Sequence, residues 1–187
     1  LTPQKPRPSS ERGERAYVFI FLASIRAGTI PLLLGKIRPL FSVPSLWKGI
    51  EAQIENEHII SHSLVLDELE KVDDGLHKWF GNKKNKKMFK SQDDDQLKKV
   101  KEIMAEFERL VDHEKESTCA DPFVIALALQ RKEVEKKKKK NPREVVLVTD
   151  ESIGTRDRPK IPDVCRRYNV TCIKHESMFH ELGLRGF

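Results

Sequence analysis

The 187-residue chain has little cysteine, and what it has follows no pattern. Cys119, Cys165 and Cys172 form no CxxC pair, which excludes a disulfide-stapled miniprotein and a thiolate zinc site. An odd, unpatterned set of thiols reads as reduced and buried in a cytoplasmic protein. The six histidines show no HExxH spacing, and His175 and His180 stand five apart, off a common helix face. No glycine-rich phosphate loop, no GxSxG and no GxxxxGK[ST] occurs, so the usual nucleotide and serine-hydrolase signatures are missing. Long apolar runs are missing too. Residues 16–25 are strongly apolar and follow a basic stretch, in part like a signal peptide. Arg26, Gly28 and Pro31 interrupt them well short of the ~20 residues a membrane helix needs, and no A-x-A site follows. A buried strand is the preferred reading.

Charge is plentiful. Lys+Arg number 35 against 29 Asp+Glu, a net +6, with 34% charged and 38% hydrophobic residues. This composition suits one globular domain with a continuous core and excludes wholesale disorder. The positive charge is unevenly spread. Residues 1–43 carry seven basic and two acidic residues, and residues 131–143 carry eight and two. Everything else carries 20 basic and 25 acidic residues. The lysine run at 136–140 has no interleaved aromatic and that at 83–90 only Phe89, so they offer phosphate contact with no series of stacking rings and otherwise read as solvated charge.

Periodicity sets the organisation. Residues 1–15 read as a disordered basic tail and 16–187 as a single domain, with 26–43 unassigned and 131–143 a Lys-rich insertion. Residues 17–22 read as a buried strand, and Pro44 and Ser45 open a helix carrying Leu46, Trp47, Ile50 and Ile54 on one stripe. A strand at 58–61, helices at 63–71 and 73–81, and a loop or helix end at 82–90 follow. A long amphipathic helix starts at Asp94 and carries its stripe to Leu110. Asp121 before Pro122 reads as a capping carboxylate before proline at the first helical position, opening a buried helix. The continuous run at 145–149 is a buried strand of the parallel type. A helix at 160–168, a strand at 170–173 and a helix at 175–182 close the chain. Strands alternating with helices predict an α/β fold, three-layer αβα with a mostly parallel central sheet.

The candidate chemistry lies in acids near strand ends and helix starts. Glu68 falls early on the helix after the second strand, Asp121 opens the buried helix, and Asp150 and Glu151 follow the strand at 145–149. Ligands bind beyond the carboxyl ends of parallel strands. Carboxylates converging there would suit a hard divalent cation, Mg²⁺ or Mn²⁺. Taken singly, Asp121 also reads as a cap, Asp150 and Glu151 as a turn, and Glu68 as one charge on a wet face beside Asp67 and Glu70.

From Pro44 onward the chain resembles the PIN-like family related to the VapC toxin ribonucleases, more narrowly a group of uncharacterised bacterial and archaeal PIN-like proteins. The motifs are PSLWKGIEAQIENEHIIS at 44–61, VLDELEK at 65–71, ADPFVIALAL at 120–129, VVLVTDE at 145–151 and PKIPDVCRRYNVTCI at 159–173. The resemblance implies a PIN-like fold and a carboxylate-held Mg²⁺ or Mn²⁺ site that hydrolyses RNA. It places Glu68 at the family's second acidic position, Asp121 at the third, and Asp150 or Glu151 at the last. The family's first strand ends in an Asp followed by small hydroxyl residues. Here Ile20 stands at that Asp, and Phe21 and Leu22 replace the hydroxyls. An isoleucine cannot coordinate a cation, so the resemblance implies weakened or lost catalysis. Residues 20–43 depart from the family as a block, which a shifted reading frame or a degenerate family member would each explain.

The expectation is a metal-dependent endoribonuclease of toxin type acting on an RNA substrate. An antitoxin protein is the expected partner, a homodimer stays open, and no membrane is involved. The alternative is a non-catalytic PIN-like protein that binds RNA or a protein partner. A weaker reading makes the acids plain caps and turns in a structural protein.

Overall fold

The computed structural model describes residues 16–21, 44–70, 75–111 and 119–184. The tail at 1–15 and the unassigned stretch at 26–43 lie outside the described residues. β1 (Tyr17–Phe21) is followed by α1 (Pro44–Glu55), β2 (Ile59–His62), α2 (Ser63–Glu70), α3 (Gly75–Gly81), a 3-10 turn (Asn85–Met88) and β3 (Phe89–Lys90). Then come α4 (Asp94–Glu106), a second 3-10 turn (Glu108–Leu110), α5 (Asp121–Lys137), β4 (Glu144–Val148), α6 (Ile161–Arg167), β5 (Thr171–Ile173) and α7 (His175–Glu181). The five strands form one sheet in the order β3-β2-β1-β4-β5, and every pairing is parallel.

Strand order fixes the layers. The chain moves outward from β1 to β2 and β3, then returns past β1 to β4 and β5. Right-handed crossovers put helices from outward and returning steps on opposite faces, which gives the three-layer αβα arrangement. α5 lies on β1, β2 and β4 and packs beside α4 and α6, while α1 lies on β2. Val18, Phe19 and Ile20 are wholly buried, as a strand covered on both faces must be. α4 and α5 are stitched by polar pairs. Asp93 caps α4 by accepting the Gln96 N–H at 2.8 Å and takes the Gln130 amide at 2.7 Å, and Lys99 reaches Glu133 at 2.7 Å. Gly49 on α1 admits Leu184, whose Cδ2 would stand 2.4 Å from any Cβ there.

The α/β expectation holds in class and in element order, and four details differ. The segment 82–90 contains a 3-10 turn and the edge strand β3, too short at two residues to show a pattern. The helix from Asp94 stops at Glu106, and its last apolar residue, Leu110, belongs to a separate 3-10 turn. Glu68 is late on α2, not early. Asp121 is the first helical residue, with Ala120 at the capping position. A one-residue shift of that kind is the ordinary uncertainty of helix boundaries.

Candidate functional site at the carboxyl edge of the sheet

The order in which strands are added reverses between β1 and β4, and such a switch point opens a crevice beyond the carboxyl ends of the strands. The predicted acids lie around this edge. Glu68 Oε1 accepts the backbone N–H of Ala120 at 2.9 Å, which sets α2 against the start of α5 and brings Glu68 beside Asp121. Asp121 is buried at the N-terminus of α5, where the helix dipole favours an anion. Cys119 shares this corner. Burial pushes its thiol up to about 12, and the neighbouring Asp121 and Glu68 charges push the same way, so Cys119 is no nucleophile at neutral pH.

Asp150 and Glu151 part company. Asp150 Oδ1 lies 2.6 Å from Nδ1 of His175, the first residue of α7. A carboxylate only accepts, so the imidazole N–H is the donor. Glu151 Oε2 instead accepts the Ile161 N–H at 3.3 Å, one of the otherwise unsatisfied donors at the start of α6. Asp163 caps the same helix start, accepting from Lys160 N–H at 3.0 Å and Gly154 N–H at 2.7 Å. The structure therefore gives Glu151 a helix-capping contact and Asp150 an imidazole contact.

Ile20 is fully buried, paired in register with Ile60 on one side and Leu147 on the other. The half-buried strand end is Phe21, whose carbonyl accepts the Ser61 hydroxyl at 2.6 Å. Two histidines of this edge carry no sequence signal. His175 is buried, with Phe179 against its ring at 5.8 Å. His62, at the end of β2, is also buried, its ring 5.2 Å from Phe123 of α5. Its Nδ1 accepts the Leu64 N–H at 3.2 Å, and its Nε2 is buried without a partner. Burial lowers the His62 pKa, which nearby Asp67 opposes, and because Nδ1 accepts from Leu64 the proton of the neutral ring belongs on Nε2.

Among the described residues no three His, Cys, Asp or Glu side chains are grouped to hold a metal ion. The structure brings together Glu68 with Asp121, and Asp150 with His175, without joining the two pairs into such a group. Carboxylate oxygens are the donors a hard cation takes, and Mg²⁺ is commonly held by one or two carboxylates with water completing its shell. Glu68 and Asp121 fit that requirement in kind and in number. All three cysteines are free thiols. Among the described residues no helix is long and apolar enough to cross a membrane.

Residues 39–185 match the model of a family described as a domain of unknown function, DUF4411. The match covers well over half the chain, and the chain belongs to that family. Neither the curated proteins nor the solved structures contain a match.

Proposed function

Taking the chain as a member of that family, we propose that it is a PIN-like protein related to the VapC toxin ribonucleases, an RNA-directed hydrolase with a weakened carboxylate site. The observation that supports this reading best is the bond from Glu68 to the N–H of Ala120, which ties the acid of α2 to the acid that opens α5. It gathers two carboxylates from distant chain segments at the edge of a parallel sheet where ligands bind. Glu68 and Asp121 would hold Mg²⁺ or Mn²⁺, and Asp150, at the end of β4, is the third candidate. Glu151 is a weaker candidate because its carboxylate caps α6. A divalent cation so held supplies an activated water and charge neutralisation for phosphodiester hydrolysis. An antitoxin segment inserted into the acidic crevice is the partner this reading implies.

A second reading, a non-catalytic PIN-like protein that binds RNA or a protein, is favoured by one observation. The side chain at the family's first acidic position, Ile20, is apolar and fully buried. One experiment separates the two. Mn²⁺ binding and RNA cleavage are measured for the chain and for Glu68→Gln and Asp121→Asn. Binding and cleavage lost in both variants support the hydrolase. RNA binding without Mn²⁺ binding supports the second reading, and neither activity in the parent chain sinks the hydrolase and the RNA-binding form of the second reading.

A further inference from the structure

The parallel sheet sorts the charge of the chain by end. Glu68, Asp121, Asp150 and Glu151 stand at its carboxyl edge, whereas the segments leading into its strands at the opposite edge are basic. Lys83, Lys84, Lys86 and Lys87 immediately precede β3, and the run 136–140 precedes β4. Apart from Lys138, which pairs with Glu135 at 2.7 Å, these lysines are exposed and have no carboxylate in ion-pair reach among the described residues. The approach to β2 is acidic by sequence and is neutralised by the fold. Glu57 takes Lys90 at 2.8 Å and Arg131 at 3.8 Å, and its carbonyl accepts from Arg143 at 3.2 Å. A cleft of about 410 Å³ on this same edge is lined by Lys132, Lys136 and Arg143 together with Glu144 and with Glu135, which Lys138 and Arg143 neutralise.

We propose that the amino edge of the sheet is a docking surface for the phosphate backbone of single-stranded RNA, on the side of the molecule opposite the carboxylates. The occupant follows from chemistry. A protein partner of this size needs buried apolar or aromatic anchors. Among the described residues the exposed large apolar side chains are only Leu97, Val134 and Ile153. Lysine heads on flexible stems suit a polyanion, bind it without reading bases, and gain from released counterions. From β3 to β5 the edge spans about 19 Å at the usual strand spacing, room for about four phosphates of one strand. The choice of RNA rests on the reading proposed above, and the docking itself needs no cation.

The test uses the full chain in EDTA with a fluorescent oligouridylate of about twenty nucleotides. Four phosphate contacts predict an affinity that falls roughly fifty-fold between about 50 and about 200 mM salt. Two variants of exposed residues, K83Q/K84Q/K86Q/K87Q and K137Q/K139Q/K140Q, each weaken binding at least about tenfold and flatten the salt slope by about 0.7 per lost contact. K98Q/K101Q, two exposed lysines of α4 outside both runs, binds as the parent does. The proposal is overturned if the parent shows no salt-dependent binding, if either lysine-run variant binds unchanged, or if K98Q/K101Q weakens binding as much as they do. Competition by polyglutamate as strong per charge as by RNA also overturns it, in favour of an acidic protein. Because cation is excluded, a failed Mn²⁺ cleavage assay sinks the hydrolase without touching this result, and the reverse also holds.

Discussion

Nδ1 of His175 donates to Oδ1 of Asp150 at 2.6 Å, joining the first turn of α7 to the end of β4 across 25 residues of chain. The imidazole is 4% exposed and braced by Phe179, so it holds the carboxylate at a fixed angle to the crevice. Outer partners of this kind orient ligating carboxylates, and losing them typically costs 10- to 100-fold in metal affinity. His175→Asn can keep a donor near Nδ1 and His175→Phe cannot. We expect Mn²⁺ affinity to fall by roughly that factor in His175→Phe and by less than about threefold in His175→Asn. Titration of the Mn²⁺ electron-spin signal measures this, and equal affinities for the two variants would remove Asp150 from the site.

Glu68 offers a cleaner separation of structure from chemistry. Gln keeps a carbonyl oxygen where Oε1 accepts from Ala120, and loses only the charge. Glu68→Gln should therefore unfold within about 0.5 kcal/mol of the parent while losing cation binding. Glu68→Ala should lose about 1 kcal/mol as well, the usual loss for an acceptor removed from a helix start. Urea unfolding beside calorimetric Mn²⁺ titration distinguishes them. A Glu68→Gln variant that still binds Mn²⁺ like the parent would reduce Glu68 to a structural cap.

The sheet was legible because its central strands carry continuous apolar runs, 17–21 and 145–148, and because Pro44 and Asp121-Pro122 punctuate two helices. β3 was not, since two residues held by pairing with Ser61 and His62 carry no periodicity of their own. Glu68, Asp121 and Asp150 were legible as types at strand and helix ends. Their contacts were not, because a bond such as Glu68 to Ala120 spans 52 residues and goes to a backbone N–H that any residue supplies. The division of labour between Asp150 and Glu151 likewise depended on where α6 begins relative to β4. His62 and His175 were hidden for the same reason: burial and partner, not spacing, make them part of the edge.

The position of Ile20 changes how its replacement will behave. It is 0% exposed between Ile60 and Leu147, so an aspartate there would bury a carboxylate in an apolar layer. Ile20→Asp should destabilise the protein by about 3 kcal/mol or more unless a cation compensates. Phe21→Asp, at the half-buried strand end, should cost less and place its charge nearer the crevice. If the carboxylate site lacks only its first-strand member, Mn²⁺ should raise the melting temperature of one of these variants more than that of the parent. Scanning calorimetry with and without Mn²⁺ reads this, and no differential shift in either variant would sever the first strand from the site.

His62 predicts a pH dependence. Its folded pKa is lowered by burial, against the smaller opposing pull of Asp67. As pH falls through the ordinary histidine value, about 6.5, the unfolded chain takes up a proton that the folded chain refuses. Stability is thus complete above that pH and declines below it, by at most about 1.4 kcal/mol per pH unit from this one group. His58, lowered by burial and by Arg143, adds in the same direction. His62→Leu removes the larger burial and its unpartnered Nε2, so the melting temperatures at pH 7.5 and 5.5 should lie closer together than in the parent. An unchanged difference would mean that His62 titrates normally.

The far end of α5 carries the last prediction. Glu135 is 2% exposed, yet it accepts from Lys138 at 2.7 Å and from Arg143 through its backbone N–H at 2.9 Å, Nε at 3.2 Å and Nη2 at 3.1 Å. Burial pushes its pKa up, and these donors together outweigh burial and hold it below the ordinary carboxylate value. Removing one partner of a buried pair leaves a charge without its hydrogen bonds, a loss of about 3 kcal/mol or more. Arg143→Ala should approach that loss, tempered by Lys138. Glu135→Leu should lose less, because no buried charge remains. The lowered pKa places this contribution above the unfolded value of about 4.5, and it disappears as pH falls through the folded one. Urea unfolding at pH 7 and pH 4 tests both statements: the gap between parent and Arg143→Ala should narrow at the lower pH, and a constant gap would show that Arg143 acts through packing alone.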